Sequence, residues 1–155
     1  MSDLDAIDAK ILKCLQQDGR LTNAELAERV GLSPSPCLRR VRMLEEAGII
    51  SRYMAVINQN KVGLGVSAFV HLKLDRPSTE SIERIERELS RCPEVVDCYL
   101  MTGRSDYLLR VVAPDIASYE RFLKERLNKV PGIANIETSF AMRQVVHMAP
   151  LPVKG

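Results

Sequence analysis

Arg39, Arg40 and Arg42 lie close together in one stretch, with no acid following them until Glu45. A guanidinium is a rigid fork of donors, so it takes two phosphate oxygens, or O6 and N7 of guanine, at once. Arg39 and Arg40 are therefore candidates for base or phosphate contacts, and Arg42 for a backbone contact or a structural role. Ser33 and Ser35 open the same stretch, where exposed helix amides add to the attraction for phosphate. Pro36 shares their side. No nucleophile–base pair or phosphate-binding Gly loop accompanies these residues. His71 and His147 are isolated, and Cys14, Cys37, Cys92 and Cys98 lack metal-ligand spacing. Buried structural thiols are the plain reading of such cysteines. Catalysis, metal and cofactor are not expected; recognition of nucleic acid is.

Two helices must position these side chains. Thr22 with Glu25 has the capping-box spacing, Leu26 and Val30 recur at helical spacing, and Gly31 suits a left-handed stop. Ser33-Pro34 starts a second helix, which ends at Gly48, with Ile49 able to pack back on Leu44. At about 100° per residue, Cys37, Leu38, Val41, Leu44 and Glu45 fall on one side. Ser35, Pro36, Arg39, Arg40, Arg42 and Met43 cover most of the rest. A preceding helix, about Leu4 to Asp18, carries Leu4, Ile7, Ile11, Cys14 and Leu15 as one stripe, with Asp3, Asp5 and Asp8 at its positive end. The two helices joined by the tight Gly turn describe a helix-turn-helix, whose second helix enters a DNA major groove, and the preceding helix completes a small shared core. An ordinary solvated amphipathic helix is the alternative, but the order of caps, turn and basic face favours DNA.

After Gly48 the pattern turns to β. Residues Ile50 to Ile57 read as the wing of a winged helix-turn-helix, where Arg52 could reach a phosphate, and as a strand leaving the domain. Asn58 to Lys61 form a polar turn, and Gly63 and Gly65 mark the next domain. Pro93 with Val95 recurs as Pro131 with Ile133, and each half reads strand, helix, strand. The order βαββαβ is the ferredoxin-like split βαβ arrangement, with Thr102-Gly103-Arg104-Ser105-Asp106 as the central hairpin turn. The fold expected is α+β: DNA-binding residues 1–50, a wing and linker at 51–64, and a second domain at 65–155. Both helices would cover one sheet face. Phe69, Tyr99, Tyr107, Leu109 and Val111 are expected on the other, too apolar to meet water and so a surface for dimerisation.

With 155 residues and a net charge of only +2, attraction to DNA must come from local arrangement. No apolar run is long enough for a membrane span, and the acidic start is unlike a secretory signal. A cytoplasmic location without membrane contact is expected.

The run LDAIDAKILKCLQQDGRLTNAELAERVGLSPSPCLRRVRMLEEAGII, with GRSDYLLRV at Gly103–Val111 and PGIANIETSFAM at Pro131–Met142, resembles the Lrp/AsnC family of transcriptional regulators over nearly the whole chain. The resemblance implies a RAM-type second domain and homodimers that assemble into octamers on double-stranded DNA. It also implies an amino acid or related small metabolite bound between second domains. Thr102, Gly103, Arg104, Ser105 and Asp106 would form one wall of that site, with Thr138 and Ser139 of another subunit opposite. From the residues alone, the plainer reading is that Gly103 and Asp106 serve only the hairpin; the resemblance is what favours a site. A ligand-insensitive architectural DNA-binding protein is the alternative function.

Overall fold

The computed structural model describes residues 4–76 and 78–154. Asp3, grouped above with the first helix's acids, lies outside them. The chain divides into two compact units, residues 4–56 with 146–154, and residues 57–145.

The first unit is built on three helices, α1 Ala6–Gln17, α2 Asn23–Val30 and α3 Pro34–Glu46. Local chemistry sets their ends. The Asp5 carboxylate accepts from the amides of Ile7 and Asp8 to start α1. At α2, Thr22 and Glu25 cap one another reciprocally. Gly31 ends α2 at φ 78°, with its amide on Glu28 O and the Leu32 amide on Ala27 O. Gly48 repeats that pattern after α3, where the Ile49 amide reaches Leu44 O at 2.9 Å. Such paired bonds satisfy carbonyls that a helix end otherwise leaves open. Ile11, Leu12, Leu26, Ala27, Val30, Cys37 and Leu44 form the core. Leu38, expected on the apolar side of α3, is exposed instead.

Residues 51–58, expected as the wing and a strand leaving the domain, form no strand within the chain. A strand needs a neighbour for its amides and carbonyls, and none of the described residues supplies one. The segment is tethered at Tyr53, whose hydroxyl donates to Glu45 at 2.9 Å; burial, then the Glu45 carboxylate, push the phenol pKa up to about 12. The tail, expected with the second domain, returns to the first unit. The Gln16 side-chain amide accepts from the Leu151 amide at 2.6 Å and donates to the Leu151 carbonyl at 3.3 Å. Val153 packs against the helical core.

The second unit runs β1 Val66–Leu74, α4 Thr79–Ser90, β2 Val95–Leu100, β3 Tyr107–Ala113, α5 Ile116–Glu125 and β4 Ile133–Phe140. The strands form one antiparallel sheet in the order β2-β3-β1-β4. A helical turn at Leu127–Lys129 follows α5. Ala68, Val70 and Leu72 point inward with Ile85 and Leu89 of α4 and Tyr119 and Phe122 of α5.

Register corrects the expected exposed face. Antiparallel partners share a face, and Tyr107, Leu109 and Val111 pair with Leu72, Val70 and Ala68. All three therefore belong to the core. Phe69 pairs with Arg110 and Tyr99 with Leu108, which leaves Phe69 38% and Tyr99 56% exposed. Cys98, expected to be buried, is exposed on β2, whereas Cys37 and Cys92 are buried.

A Cβ on residue 31 would meet nothing within 4 Å, so Gly31→Ala tests backbone strain alone. It should destabilise the helical unit by about 1–2 kcal/mol, read as a lower denaturation midpoint with unchanged helical content.

Candidate DNA interface and effector site

On α3 the buried edge is Cys37 and Leu44, with Val41 partly buried between them. Ser35, Pro36, Arg39, Arg42 and Met43 are exposed. Ser33 occupies the N-cap position but makes no side-chain capping bond, so its hydroxyl is available at the helix start. Asn23 ties that start to α2 by donating from Nδ2 to Pro34 O at 2.8 Å. Arg39 bends along the helix until Nη1 lies 3.6 Å from Met43 Sδ. Among the described residues, neither Arg39, Arg42 nor Arg52 forms an ion pair, and Arg52 sits exposed in the extended segment.

Arg40 departs from expectation. Its Nη1 donates to Asp5 Oδ2 at 2.7 Å and to Asp8 Oδ1 at 2.8 Å. The guanidinium, expected like that of Arg39 to contact a base or a phosphate, here joins α3 to the start of α1. The bonds to Asp8 and then Asp5 raise the Arg40 pKa. The Asp8 amide, followed by Arg40, lowers the Asp5 carboxyl from its ordinary 3.8. Sequence alone assigned Asp5 and Asp8 only to the helix dipole, since partners more than 30 positions away leave no local signal.

In the second unit the β2–β3 hairpin carries Thr102 to Asp106. The Met101 amide donates to Asp106 O at 2.8 Å, closing the turn, and Gly103 takes φ 115°. Ser105 Oγ lies 3.1 Å from His71 Nδ1, while Thr102, Gly103 and Arg104 are exposed. Asp106 does more than turn the chain. Its Oδ2 accepts from the Leu74 amide at 2.8 Å and its Oδ1 from Lys73 Nζ at 2.9 Å, where β1 shifts register against β4. These bonds, the Leu74 amide foremost, lower its pKa. Thr138 and Ser139 lie on β4, with β1 between them and the hairpin. Thr138 Oγ1 is 2.6 Å from the Tyr119 hydroxyl, and Ser139 is exposed opposite Phe69. One chain does not bring the two expected walls together.

Residues 4–51 match the model of a winged helix-turn-helix DNA-binding domain, and residues 67–151 match that of the Lrp/AsnC ligand-binding domain. The chain belongs to the Lrp/AsnC family. It is 41% identical to the Bkd operon transcriptional regulator of Pseudomonas aeruginosa, over 99% of this chain and all of that one. It is 40% identical to the leucine-responsive regulatory protein of Escherichia coli, over 98% of this chain and 93% of the other. Among solved Lrp/AsnC-like structures, a transcriptional regulator of Neisseria meningitidis in complex with L-Met superposes with a TM-score of 0.92. It is 40% identical over 96% of each chain. An AsnC family regulator of Agrobacterium tumefaciens gives 0.91 at 43% identity, over 96% of this chain and 97% of that one. As a family member, this chain is a transcriptional regulator with a DNA-binding and a ligand-binding domain, and not an enzyme. No described helix is long and apolar enough to cross a membrane.

The Arg40 contact predicts a pH signature. A carboxyl lowered on folding stabilises fully above its unfolded value and loses that contribution as pH falls through the folded one. Arg40→Ala should lower the thermal midpoint of the helical unit at neutral pH. The gap from wild type should narrow once acid protonates Asp5. A constant gap across the acid range would show that Arg40 acts through packing alone.

Proposed function

We propose that this chain is a sequence-specific DNA-binding regulator whose assembly or DNA affinity responds to an amino acid or related small metabolite. The observation that carries the reading is the outward basic side of α3, held by a capped helical core in the same chain as an Lrp/AsnC ligand-binding domain. Arg39 takes a base edge or phosphate, Arg42 and Arg52 take backbone phosphates, and Ser33, Ser35 and Pro36 lie against the duplex at the helix start. Arg40 supports α3 from behind.

Homodimers place two such helices in successive major grooves, with half-sites about one helical turn apart or a multiple of it. Phe69 and Tyr99 on the uncovered sheet face give each subunit an apolar surface for that contact, and further assembly to octamers adds avidity. The relatives named for leucine and solved with L-Met support an amino acid as effector.

Thr102, Gly103, Arg104, Ser105 and Asp106 form one wall of the effector site, and Thr138 and Ser139 of another subunit the other. Lys73 Nζ marks where an α-ammonium would sit on Asp106 Oδ1, leaving the Leu74 amide on Oδ2. Binding then couples to DNA only through different affinity for competing assemblies. A coupling of about 1–3 kcal/mol corresponds to roughly 5- to 150-fold in DNA affinity.

A thermal-shift screen of the twenty amino acids, followed by sedimentation with the hits, tests the sensor; no shift and no change in assembly would leave an architectural protein. Asp106→Asn keeps an acceptor for the Leu74 amide but loses the charge and the Lys73 pairing, so it should abolish the shift while lowering the unliganded midpoint only slightly. On DNA, Arg39→Ala should lose about 1–3 kcal/mol of discrimination if Arg39 reads a base. Arg42→Ala should instead lower the salt slope by about 1, alike on all sequences.

A further inference from the structure

The exposed side of α3 is not uniformly polar. Pro36 and Met43 stand on it seven residues apart, close to two turns and so nearly in line, with Arg39 between and beside them. Met43 is 54% exposed, and the Arg39 guanidinium rests on its thioether. A thioether is a weak acceptor, so this contact does more to hold the two side chains together than to satisfy the arginine. Apolar side chains exposed singly are ordinary. Here they bracket Arg39, which has no ion-pair partner among the described residues, on the side of the helix opposite Cys37 and Leu44; Glu46, in line with Arg39, stands on the same side only at the last position of α3.

In the major groove the apolar group presented by base edges is the thymine C5-methyl. We infer that Met43, held against Arg39, reads a thymine methyl, so that this chain prefers an A·T pair at one fixed position of each half-site. The inference rests on the DNA-binding reading proposed above.

The test uses the full-length chain and a duplex that it selects from a randomised library. Each thymine is replaced in turn by deoxyuridine, which keeps every hydrogen bond and removes only the methyl. Wild type should lose about fourfold in affinity at one position per half-site, the equivalent of one buried methyl. Met43→Ala should bind the all-thymine duplex correspondingly less tightly and show no further loss at that position. Its thermal midpoint should match wild type, because the side chain is exposed.

If specific binding persists but no deoxyuridine duplex binds more weakly, or if Met43→Ala keeps the same loss, the methyl reading is overturned and the DNA reading stands. If the wild-type chain selects no duplex at all, both fall.

Discussion

The buried edge of α3 decides what the rest of that helix can present. Cys37 and Leu44 are pressed into a core that also holds Ile11, Leu26 and Val30, and Arg40 is tied to the first turn of α1. A helix held at those points cannot roll about its axis without exposing apolar surface or leaving Asp5 and Asp8 without their cation. Either loss costs more than one surface contact returns. Rotation is therefore restrained, and Arg39, Arg42 and Met43 keep one outward bearing. Of three neighbouring arginines, one stabilises the arrangement and two face solvent.

Much of this was legible because its causes are local. Thr22 with Glu25, Gly31 and Gly48 signal helix ends through bonds spanning only a few residues, and the structure forms those bonds. The order βαββαβ follows from alternating periodicities. What was not legible depends on distant partners. Which side of β3 faces the helices is decided by pairing with β1, and a one-residue difference moves Tyr107, Leu109 and Val111 between faces. The identity of Arg40's partners and the lack of an in-chain strand partner for residues 51–58 are likewise settled outside their own stretches. For the hairpin at Thr102–Asp106, sequence left two readings open. Asp106 adds a third by holding β1 through the Leu74 amide.

That double use of Asp106 joins the candidate effector wall to the sheet itself. The same carboxylate meets Lys73 and an amide at the shift in β1–β4 register. A ligand engaging it would touch the end of a central strand rather than an isolated loop. β1 is hydrogen-bonded along its length to both β3 and β4.

The clamp between Gln16 and Leu151 has a consequence for how the molecule is made. The helices nearest the N-terminus share their surface with residues 150–153, and every strand of the sheet is translated between the two. A ribosome therefore exposes α1, α2 and α3 well before their last neighbours exist. The DNA-binding unit acquires its full set of contacts only after every strand of the sheet has been translated.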